Sequence, residues 1–210
     1  MVFGSLGAGQ VGWDKTEDAY AERFEQLARV LTGGLAPERG SLLELGCGAG
    51  NVTLWLATMG YEVTGIDISP TAITWAKEKA GEGGIAARFV EGNVLNLSAF
   101  DDHSFDLVVD GHCLHCIIGA DRARLLAEVH RVLKPGGYCL IDTMCGEVSP
   151  GHFQGYDVLS RCTVFKGVAT RYFGLPEDIL RELTDAGFHI LSHQLERDAS
   201  HGMLTVELIR

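Results

Sequence analysis

The stretch LLELGCGAGNVTLWLATMGYEVTGID, from Leu42 to Asp67, decides the fold of this chain. It begins with a short apolar run at 42–45 that is typical of a strand buried on both faces of a parallel sheet. Glycines follow, and then apolar residues recur at helical spacing, namely Val52, Trp55, Leu56 and Met59. Gly60 supplies the helix stop, and a second strand ends at Asp67. The stretch therefore predicts one strand, a glycine turn, a helix and a second strand.

The glycine turn has the composition of a ligand-binding loop. Gly46, Gly48 and Gly50 let the backbone turn sharply, approach a ligand closely and open a helix whose amides face that ligand. Asp67 stands 21 residues after Gly46 at the end of the second strand. A carboxylate at that place accepts hydrogen bonds from ribose hydroxyls, so the pattern predicts a nucleoside-containing ligand.

The spacing distinguishes between two such ligands. A dinucleotide site requires a third glycine where this chain has Asn51. Glu44, just before the turn, would repel a pyrophosphate but suits the ammonium and sulfonium charges of S-adenosylmethionine.

Four segments in this order resemble the motifs of class I S-adenosylmethionine-dependent methyltransferases of the small-molecule type. They are LLELGCGAG with GIDIS, VEGNVLNL at 90–97, FDLVVDGHCLHCI at 105–117 and RVLKPGG at 131–137. The resemblance is tight over about residues 40–145. It implies an α/β, Rossmann-like fold: a seven-stranded, mostly parallel sheet with helices on both faces and an antiparallel last strand. The length of 210 residues suits one domain, so we expect a single domain over 1–210.

The resemblance implies a set of residues that bind the cofactor. They are Glu44, Gly46, Cys47, Gly48, Gly50, Asp67, Ile68, Asn93, Val94, Asp110, Gly111, Tyr20 and Trp13. Asn93 departs from the family, which usually has an aspartate that accepts from the adenine amino group. An amide oxygen can accept the same hydrogen bond without a charge. Tyr20 and Trp13 have a second interpretation, as anchors of an ordinary amphipathic helix.

The remaining segments fit the same fold. An N-terminal helix over 15–33 is expected to cover the cofactor, and Ser69 with Pro70 predicts the start of another helix. The other predicted elements are strands at 88–91 and 105–110, a helix at 123–133, a turn at 134–137, a strand at 138–144, a helix from 176, and a hairpin of strands at 188–195 and 203–209.

Residues 145–175 show no clear periodicity, which in a compact domain more often marks a functional segment than an idle one. The resemblance implies that this insertion forms a substrate lid. An aromatic loop without a chemical role is the alternative.

His115 and His112 follow the fourth predicted strand and are the candidate catalytic residues. Histidine has the right pKa range for a base when the methyl acceptor carries a proton. Packing is the alternative role for His115. Together with Cys113 and Cys116, the two histidines also suggest a structural zinc or a thiophilic substrate. We expect no metal, because no second pair of ligands with suitable spacing is visible.

Composition limits the partners. The net charge of −11 argues against nucleic acid, because phosphate binding depends on clustered Lys and Arg. Neither a signal peptide nor an apolar run of membrane-spanning length is visible, so we expect a cytoplasmic protein that does not enter a membrane. The six irregularly spaced cysteines favour reduced thiols over a disulfide framework.

The sequence thus predicts an enzyme that transfers a methyl group from S-adenosylmethionine to an O, N or S nucleophile of a small molecule. Two alternatives remain open: a module that binds S-adenosylmethionine without turnover, and a nucleotide-dependent oxidoreductase. The sequence does not determine the acceptor or the oligomeric state.

Overall fold

The computed structural model of the chain describes residues 20–149 and 151–210. Its helices are α1 Ala21–Leu31, α2 Asn51–Thr58, α3 Pro70–Gly83, α4 Asp121–Val132 and α5 Pro176–Asp185. Its strands are β1 Ser41–Leu45, β2 Glu62–Asp67, β3 Arg88–Glu91, β4 Phe105–Asp110, β5 Leu133–Cys145, β6 Tyr156–Asp157, β7 Cys162–Phe165, β8 Val168–Tyr172, β9 His189–Arg197 and β10 Gly202–Ile209.

The main sheet has seven strands in the order β3-β2-β1-β4-β5-β10-β9. The first five strands in that order run parallel, while β10 runs antiparallel to both of its neighbours, β5 and β9. This confirms the predicted sheet and its antiparallel last strand. The strand order reverses at β1, because β2 and β4 flank it on opposite sides. Open α/β sheets bind ligands beside the carboxyl ends of the strands at such a point.

Helices cover both faces of the sheet, as predicted. Leu42 packs in one apolar cluster with residues of α1 and α2, whereas its neighbour Leu43 packs in another with residues of α4 and α5. This alternation follows from the two-residue period of a strand. A third cluster joins α3 to Phe89 and to Leu54 of α2. Because both faces of β1 are buried, three of its five residues are leucines on alternating faces, and the fourth position, Glu44, is buried as well.

The sequence signals for helix ends are confirmed at two helices. Gly50 precedes α2 in the left-handed conformation, with φ of 79°. Ser69 precedes α3, its hydroxyl accepts a hydrogen bond from the backbone N–H of Ala72 at 3.3 Å, and Pro70 is the first helical residue. Of the predicted N-terminal helix over 15–33, residues 21–31 are helical, whereas residues 15–19 and Trp13 lie outside the described residues.

The turn predicted at 134–137 is wrong as a break between elements. Strand β5 already begins at Leu133, which pairs with Phe105, and pairing with β4 resumes where Leu107 meets Tyr138. The residues between these pairs form an irregularity inside the strand, where Gly136 adopts φ of 74°. The Pro-Gly-Gly signal was correct about the local backbone, but pairing on both sides of it keeps the strand continuous.

The insertion at 145–175 is not the irregular segment that its sequence suggested. It contains a separate antiparallel sheet in the order β6-β7-β8. Strands β7 and β8 are joined at Lys166 and Gly167, which both have positive φ, as a tight two-residue hairpin turn requires. The strands have two to five residues and few buried positions, so their hydrophobic alternation is weak.

Within the described residues, no helix is both long and apolar enough to span a membrane.

We expect Gly50→Ala to destabilise the protein by about 2 to 4 kcal/mol. The substitution strains a left-handed backbone, and the new Cβ would lie 2.8 Å from Cζ of Phe89 and 2.9 Å from Cβ of Ala76. Gly60→Ala is the matched control, since Gly60 has φ of 97° but open space around it, so its cost should be about 1 kcal/mol. Urea unfolding measures both values. Equal losses would contradict close packing at Gly50.

Candidate active site

A cleft with a volume of about 1600 Å³ lies at the carboxyl edge of the main sheet. Its walls come from the glycine turn, the end of β2, the start of α3, the exits of β3 and β4, and the small sheet of the insertion. The predicted site residues that line it are Tyr20, Glu44, Gly46, Cys47, Gly48, Asp67, Ile68, Asn93, Val94, Gly111, His112 and His115. The fold thus brings together residues that are far apart in sequence.

Asp67 lies at the rim of this cleft and organises its backbone. One carboxylate oxygen accepts a hydrogen bond from the backbone N–H of Gly48 at 2.9 Å, and the other accepts one from Ser69 at 2.8 Å. An ionised carboxylate offers about four acceptor positions. Asp67 therefore holds the glycine turn against β2 and still has acceptor capacity for a ligand.

Glu44 is a buried carboxyl group in the wall of the cleft. It is 2% exposed, and the hydroxyl of Thr53 donates a hydrogen bond to it. Burial raises the pKa of Glu44 to about 7, although the Thr53 hydrogen bond and the positive charge of Arg23 act in the opposite direction. The group is thus balanced between its acid and its anion near neutral pH. A positive charge in the cleft would favour the anion.

Gly111 allows the exit of β4 to approach this carboxyl group closely. A Cβ there would lie 2.5 Å from the carbonyl oxygen of Leu45 and 2.9 Å from Oε1 of Glu44. Only glycine fits without displacing the strand end. Glycine at position 111 thus has a steric reason, while its predicted role in cofactor binding stays a prediction.

Asp110 and Gly50 were predicted cofactor residues, but neither lines the cleft. One Asp110 oxygen accepts hydrogen bonds from the backbone N–H groups of Cys113 at 2.6 Å and Leu114 at 3.1 Å. Asp110 thereby fixes the turn that carries the two histidines. Burial raises its pKa to about 6, and its second oxygen is buried without a hydrogen-bond partner in the described part of the chain. Gly50 packs inward against α3 and β3.

Asn93 lies exposed where β3 leaves the sheet, beside the buried Val94. Its side-chain oxygen accepts a hydrogen bond from the backbone N–H of Leu95 at 2.9 Å, so this oxygen already has one partner. Across the cleft, Thr71, Ala72 and Trp75 of α3 contribute a wall that sequence reasoning missed. Their helical spacing places them on one face, and this spacing was the signal available in the sequence.

His115 is buried at 5% exposure in a short 3₁₀ turn, Leu114–Cys116. Burial lowers its pKa to about 3, and the neighbouring His112 and Arg171 act in the same direction. Its Nδ1 is buried without a hydrogen-bond partner within residues 20–149 and 151–210. His115 therefore stays neutral at physiological pH and is a weak base.

His112 differs from His115 in exposure and in its partner. Its side chain is 44% exposed and lines the cleft, and its Nε2 lies 3.0 Å from Oδ2 of Asp142. The backbone of His112 has φ of 64°, a left-handed conformation that costs a non-glycine residue about 1 kcal/mol or more. Sequence reasoning missed Asp142 because it lies within strand β5, outside the motifs that supplied the candidate site residues.

Asp142 is 1% exposed and also joins α1 to the sheet. Arg23 of α1 donates to the same Asp142 oxygen as His112, and Thr205 of β10 donates to the other oxygen at 3.1 Å. Burial pushes the pKa of Asp142 upward, but the hydrogen bond from His112 and the charge of Arg23 outweigh it, so the pKa lies below its ordinary value. Asp142 is therefore ionised.

The turn that carries the histidines is also tied to the insertion. Arg122 donates to the carbonyl oxygens of Leu114 at 2.7 Å and Ile117 at 3.3 Å. Its guanidinium group lies 4.9 Å from the ring centroid of Tyr172 in β8 and pairs with Glu182 of α5 at 2.7 Å. The insertion further lines the cleft with Phe153, Gln154, Thr163, Val164, Phe165, Thr170 and Arg171.

Cysteine and histidine side chains near the cleft are the candidate metal ligands. No group of three or more His, Cys, Asp or Glu side chains with a suitable arrangement occurs in the described ranges, which include Cys113 and Cys116. All six cysteines are unpaired thiols, and four of them are buried. Burial raises the pKa of the Cys116 thiol, which disfavours the thiolate that binds zinc.

Known proteins resemble this chain in sequence. Residues 43–141 match the family described as "Methyltransferase domain". An uncharacterized methyltransferase of Synechocystis is 39% identical over 123 residues, which are 58% of this chain and 54% of that protein. A demethylmenaquinone methyltransferase of Thermus thermophilus is 36% identical over 138 residues, 58% of this chain and 60% of that protein. A ribosomal RNA small subunit methyltransferase C of Alcanivorax borkumensis is 31% identical over 119 residues, 53% and 34% of the two chains.

Similarity to a solved structure extends over more of the chain. A SAM-dependent methyltransferase from Methanosarcina mazei superposes with a TM-score of 0.73 at 27% identity, covering 86% of this chain and 96% of that one. In fold and in sequence the chain is therefore similar to S-adenosylmethionine-dependent methyltransferases. The chain spans about half the length of the curated relatives it matches.

We expect Glu44→Gln to change how stability depends on pH. The folded-state pKa of Glu44 is raised to about 7 from 4.5, so its favourable contribution is complete below pH 4.5 and is lost as pH rises through 7. Glutamine does not titrate in this pH range, so the variant does not lose stability at this position as pH rises. Its free energy of unfolding, relative to the natural protein, should therefore rise between pH 5 and pH 8, by on the order of 2 kcal/mol.

Thermal and urea unfolding of ligand-free protein at both pH values measures this difference. Parallel stability curves for the two proteins would contradict a raised pKa at Glu44.

Proposed function

We propose that this protein transfers a methyl group from S-adenosylmethionine to a small molecule, with the cofactor in the cleft at the glycine turn. The observation that carries this proposal is the buried Glu44 carboxyl beside a glycine turn that Asp67 holds in place. S-adenosylmethionine supplies an electrophilic methyl group on a positively charged sulfur. The wall and rim of the cleft offer the negative charge that such a ligand requires.

Different residues of the cleft bind different parts of the cofactor in this proposal. Asp67 keeps acceptor positions for ribose hydroxyls. At Gly48 a Cβ would meet no protein atom within 4 Å, so the backbone there borders open space that a ligand can approach closely. Trp75, Val94 and the exposed Ile68 provide apolar surface for the adenine ring. Asn93 retains one acceptor position for the adenine amino group, since an amide oxygen has two lone pairs.

The same charges disfavour the oxidoreductase alternative. The pyrophosphate of a dinucleotide would lie beside the glycine turn, where Glu44 and Asp67 provide carboxyl groups. At the start of α2, the side-chain oxygen of Asn51 accepts a hydrogen bond from Nζ of Lys79 at 3.0 Å. The third glycine of a dinucleotide site would have no side chain at this position.

The size of the cleft favours turnover over binding alone. Pockets for one ligand are roughly 300 to 1000 Å³, so a cleft of about 1600 Å³ has room for a cofactor and an acceptor together. The additional volume lies against the insertion, whose aromatic and polar side chains include Phe153, Gln154 and Phe165. We assign this part of residues 145–175 to the acceptor, as a lid.

Methyl transfer by in-line displacement depends mainly on holding the acceptor in line with the bond that breaks. The lid, His112 and the turn fixed by Asp110 and Arg122 supply this orientation. A small acceptor fits the net charge of −11, which opposes a nucleic acid.

We expect S-adenosylhomocysteine, the product form of the cofactor, to bind with a Kd in the micromolar range and to raise the melting temperature. A ligand that binds only the folded state stabilises it, by about 2.7 kcal/mol at a hundredfold excess over Kd. Isothermal titration calorimetry and thermal shift measure this, with NAD as the comparison ligand. Binding of NAD without binding of S-adenosylhomocysteine would refute the proposal.

We expect Asp67→Ala to weaken the binding of S-adenosylhomocysteine by about 2 to 3 kcal/mol, because the ribose hydroxyls lose a charged acceptor. Glu91→Ala is the matched control. Glu91 of β3 lies beside Asp67 of β2 in the strand register, at the same sheet edge, but does not line the cleft. Its affinity should stay unchanged. Calorimetry on both variants decides the point, and equal affinities would remove Asp67 from the site.

The acceptor can be sought directly with methyl-labelled S-adenosylmethionine. Pools of small phenols, quinols, amines and thiols are compared with total RNA and total protein, and the labelled product is identified by mass spectrometry. Label in a small molecule supports the proposal, whereas label confined to RNA or protein overturns its acceptor class.

A further inference from the structure

A buried carboxylate holds the exposed histidine of the cleft in one orientation. Asp142 receives donors from three different elements: Arg23 of α1, Thr205 of β10 and His112 after β4. Asp142 is 1% exposed, and these donors keep it ionised. Its position is therefore fixed by the fold beside the cleft. The sequence motifs did not include it.

The ionised state of Asp142 determines which nitrogen of His112 carries the proton. An ionised carboxylate only accepts hydrogen bonds, so Nε2 of His112, at 3.0 Å, must be the donor. In the neutral imidazole the lone pair then lies on Nδ1. Asp142 thus selects the tautomer of His112 that can take a proton at Nδ1.

Charged groups of both signs surround the ring of His112. Asp142 of β5 and Asp110 of β4 are the negative groups that face it, while Arg23 of α1 and the neutral His115 are the others nearby. Cys116 contributes a thiol 3.9 Å from the His112 carbonyl oxygen. Arg23 is already paired with Asp142, so its charge is largely balanced.

We propose that His112, positioned by Asp142, is the general base of the reaction, and that the acceptor enters with a proton on its nucleophilic atom, as a hydroxyl or an N–H. This inference rests on the proposed methyl transfer and narrows its substrate class. A lone pair of the acceptor forms the new bond to the methyl carbon while the carbon–sulfur bond breaks and its electrons stay on sulfur. The acceptor proton passes to Nδ1 of His112, and the resulting imidazolium ion pairs with Asp142.

His115 cannot replace His112 in this role. The two ring centroids are 6.0 Å apart, but His115 is buried, whereas His112 is the more accessible from the cleft. A base that acts on a bound acceptor must reach the proton it removes. Accessibility and the Asp142 partner therefore distinguish two histidines that the sequence could not separate.

The first test uses ¹⁵N-histidine-labelled protein saturated with S-adenosylhomocysteine and requires no acceptor. The His112 signal is assigned by its loss in His112→Asn. In the neutral ring we expect the proton on Nε2 and none on Nδ1, and in Asp142→Asn this fixed tautomer should disappear. A ring that stays fully charged from pH 6 to pH 9, or one with its proton on Nδ1, would overturn the proposal.

The second test uses the acceptor found with labelled cofactor. We expect kcat of His112→Asn and Asp142→Asn to fall about 100-fold at pH 7 and to recover as pH rises, because solvent then removes the proton. The KM for S-adenosylmethionine of His112→Asn should stay within threefold. Glu207→Gln is the control: it removes another carboxylate of the sheet, which contacts Tyr138 and Ser192, and should preserve the pH profile.

The outcomes separate the two proposals. If S-adenosylhomocysteine does not bind and no product gains a methyl group, the proposed function fails. If methyl transfer occurs and His112→Asn keeps full activity with an unchanged pH profile, only the role of His112 fails. A product methylated at a thioether or a tertiary amine would also overturn the role of His112, because such an acceptor has no proton to give.

Discussion

The site depends on one constraint, the parallel pairing of β1 with β2 on one side and β4 on the other. Parallel pairing brings the carboxyl ends of these strands to the same edge of the sheet, where Leu45 meets Asp110 across the ladder. The glycine turn, Asp67 and the histidine turn all begin at that edge. Their proximity follows from the sheet, although up to about 70 residues of chain separate them.

Of three buried carboxyl groups at this edge of the sheet, Glu44 lines the cleft, and Asp110 and Asp142 lie behind residues that do. Glu44 and Asp110 have raised pKa values because burial disfavours their charged forms, whereas Asp142 stays ionised because donors surround it. The three groups illustrate how donors decide the charge of a buried acid. Glu44 and Asp110 would ionise more readily beside a cation, whereas Asp142 is already ionised at neutral pH.

Much of the fold could be read from the sequence, and most of the predicted site residues line one cleft, while their roles stay predictions. Glycine turns, the Ser69 and Pro70 helix start and the apolar runs are local signals, and the structure confirms them. The small sheet of the insertion was missed because its strands are short and half exposed. Sequence patterns predict elements well where burial imposes a period, and poorly where it does not.

The sequence by itself determined the order of the main-sheet strands and their helices, the place of the glycine turn and the acidic residues beside it, because these depend on local backbone conformation and on burial periodicity. Only the tertiary structure decided how the histidines differ. His115 became buried and neutral, whereas His112 became exposed to the cleft and paired with Asp142. Thirty residues separate His112 from Asp142, and their contact exists because β4 and β5 lie side by side. No local pattern encodes such a contact, since pairing between strands and the burial of each side chain are properties of the whole fold.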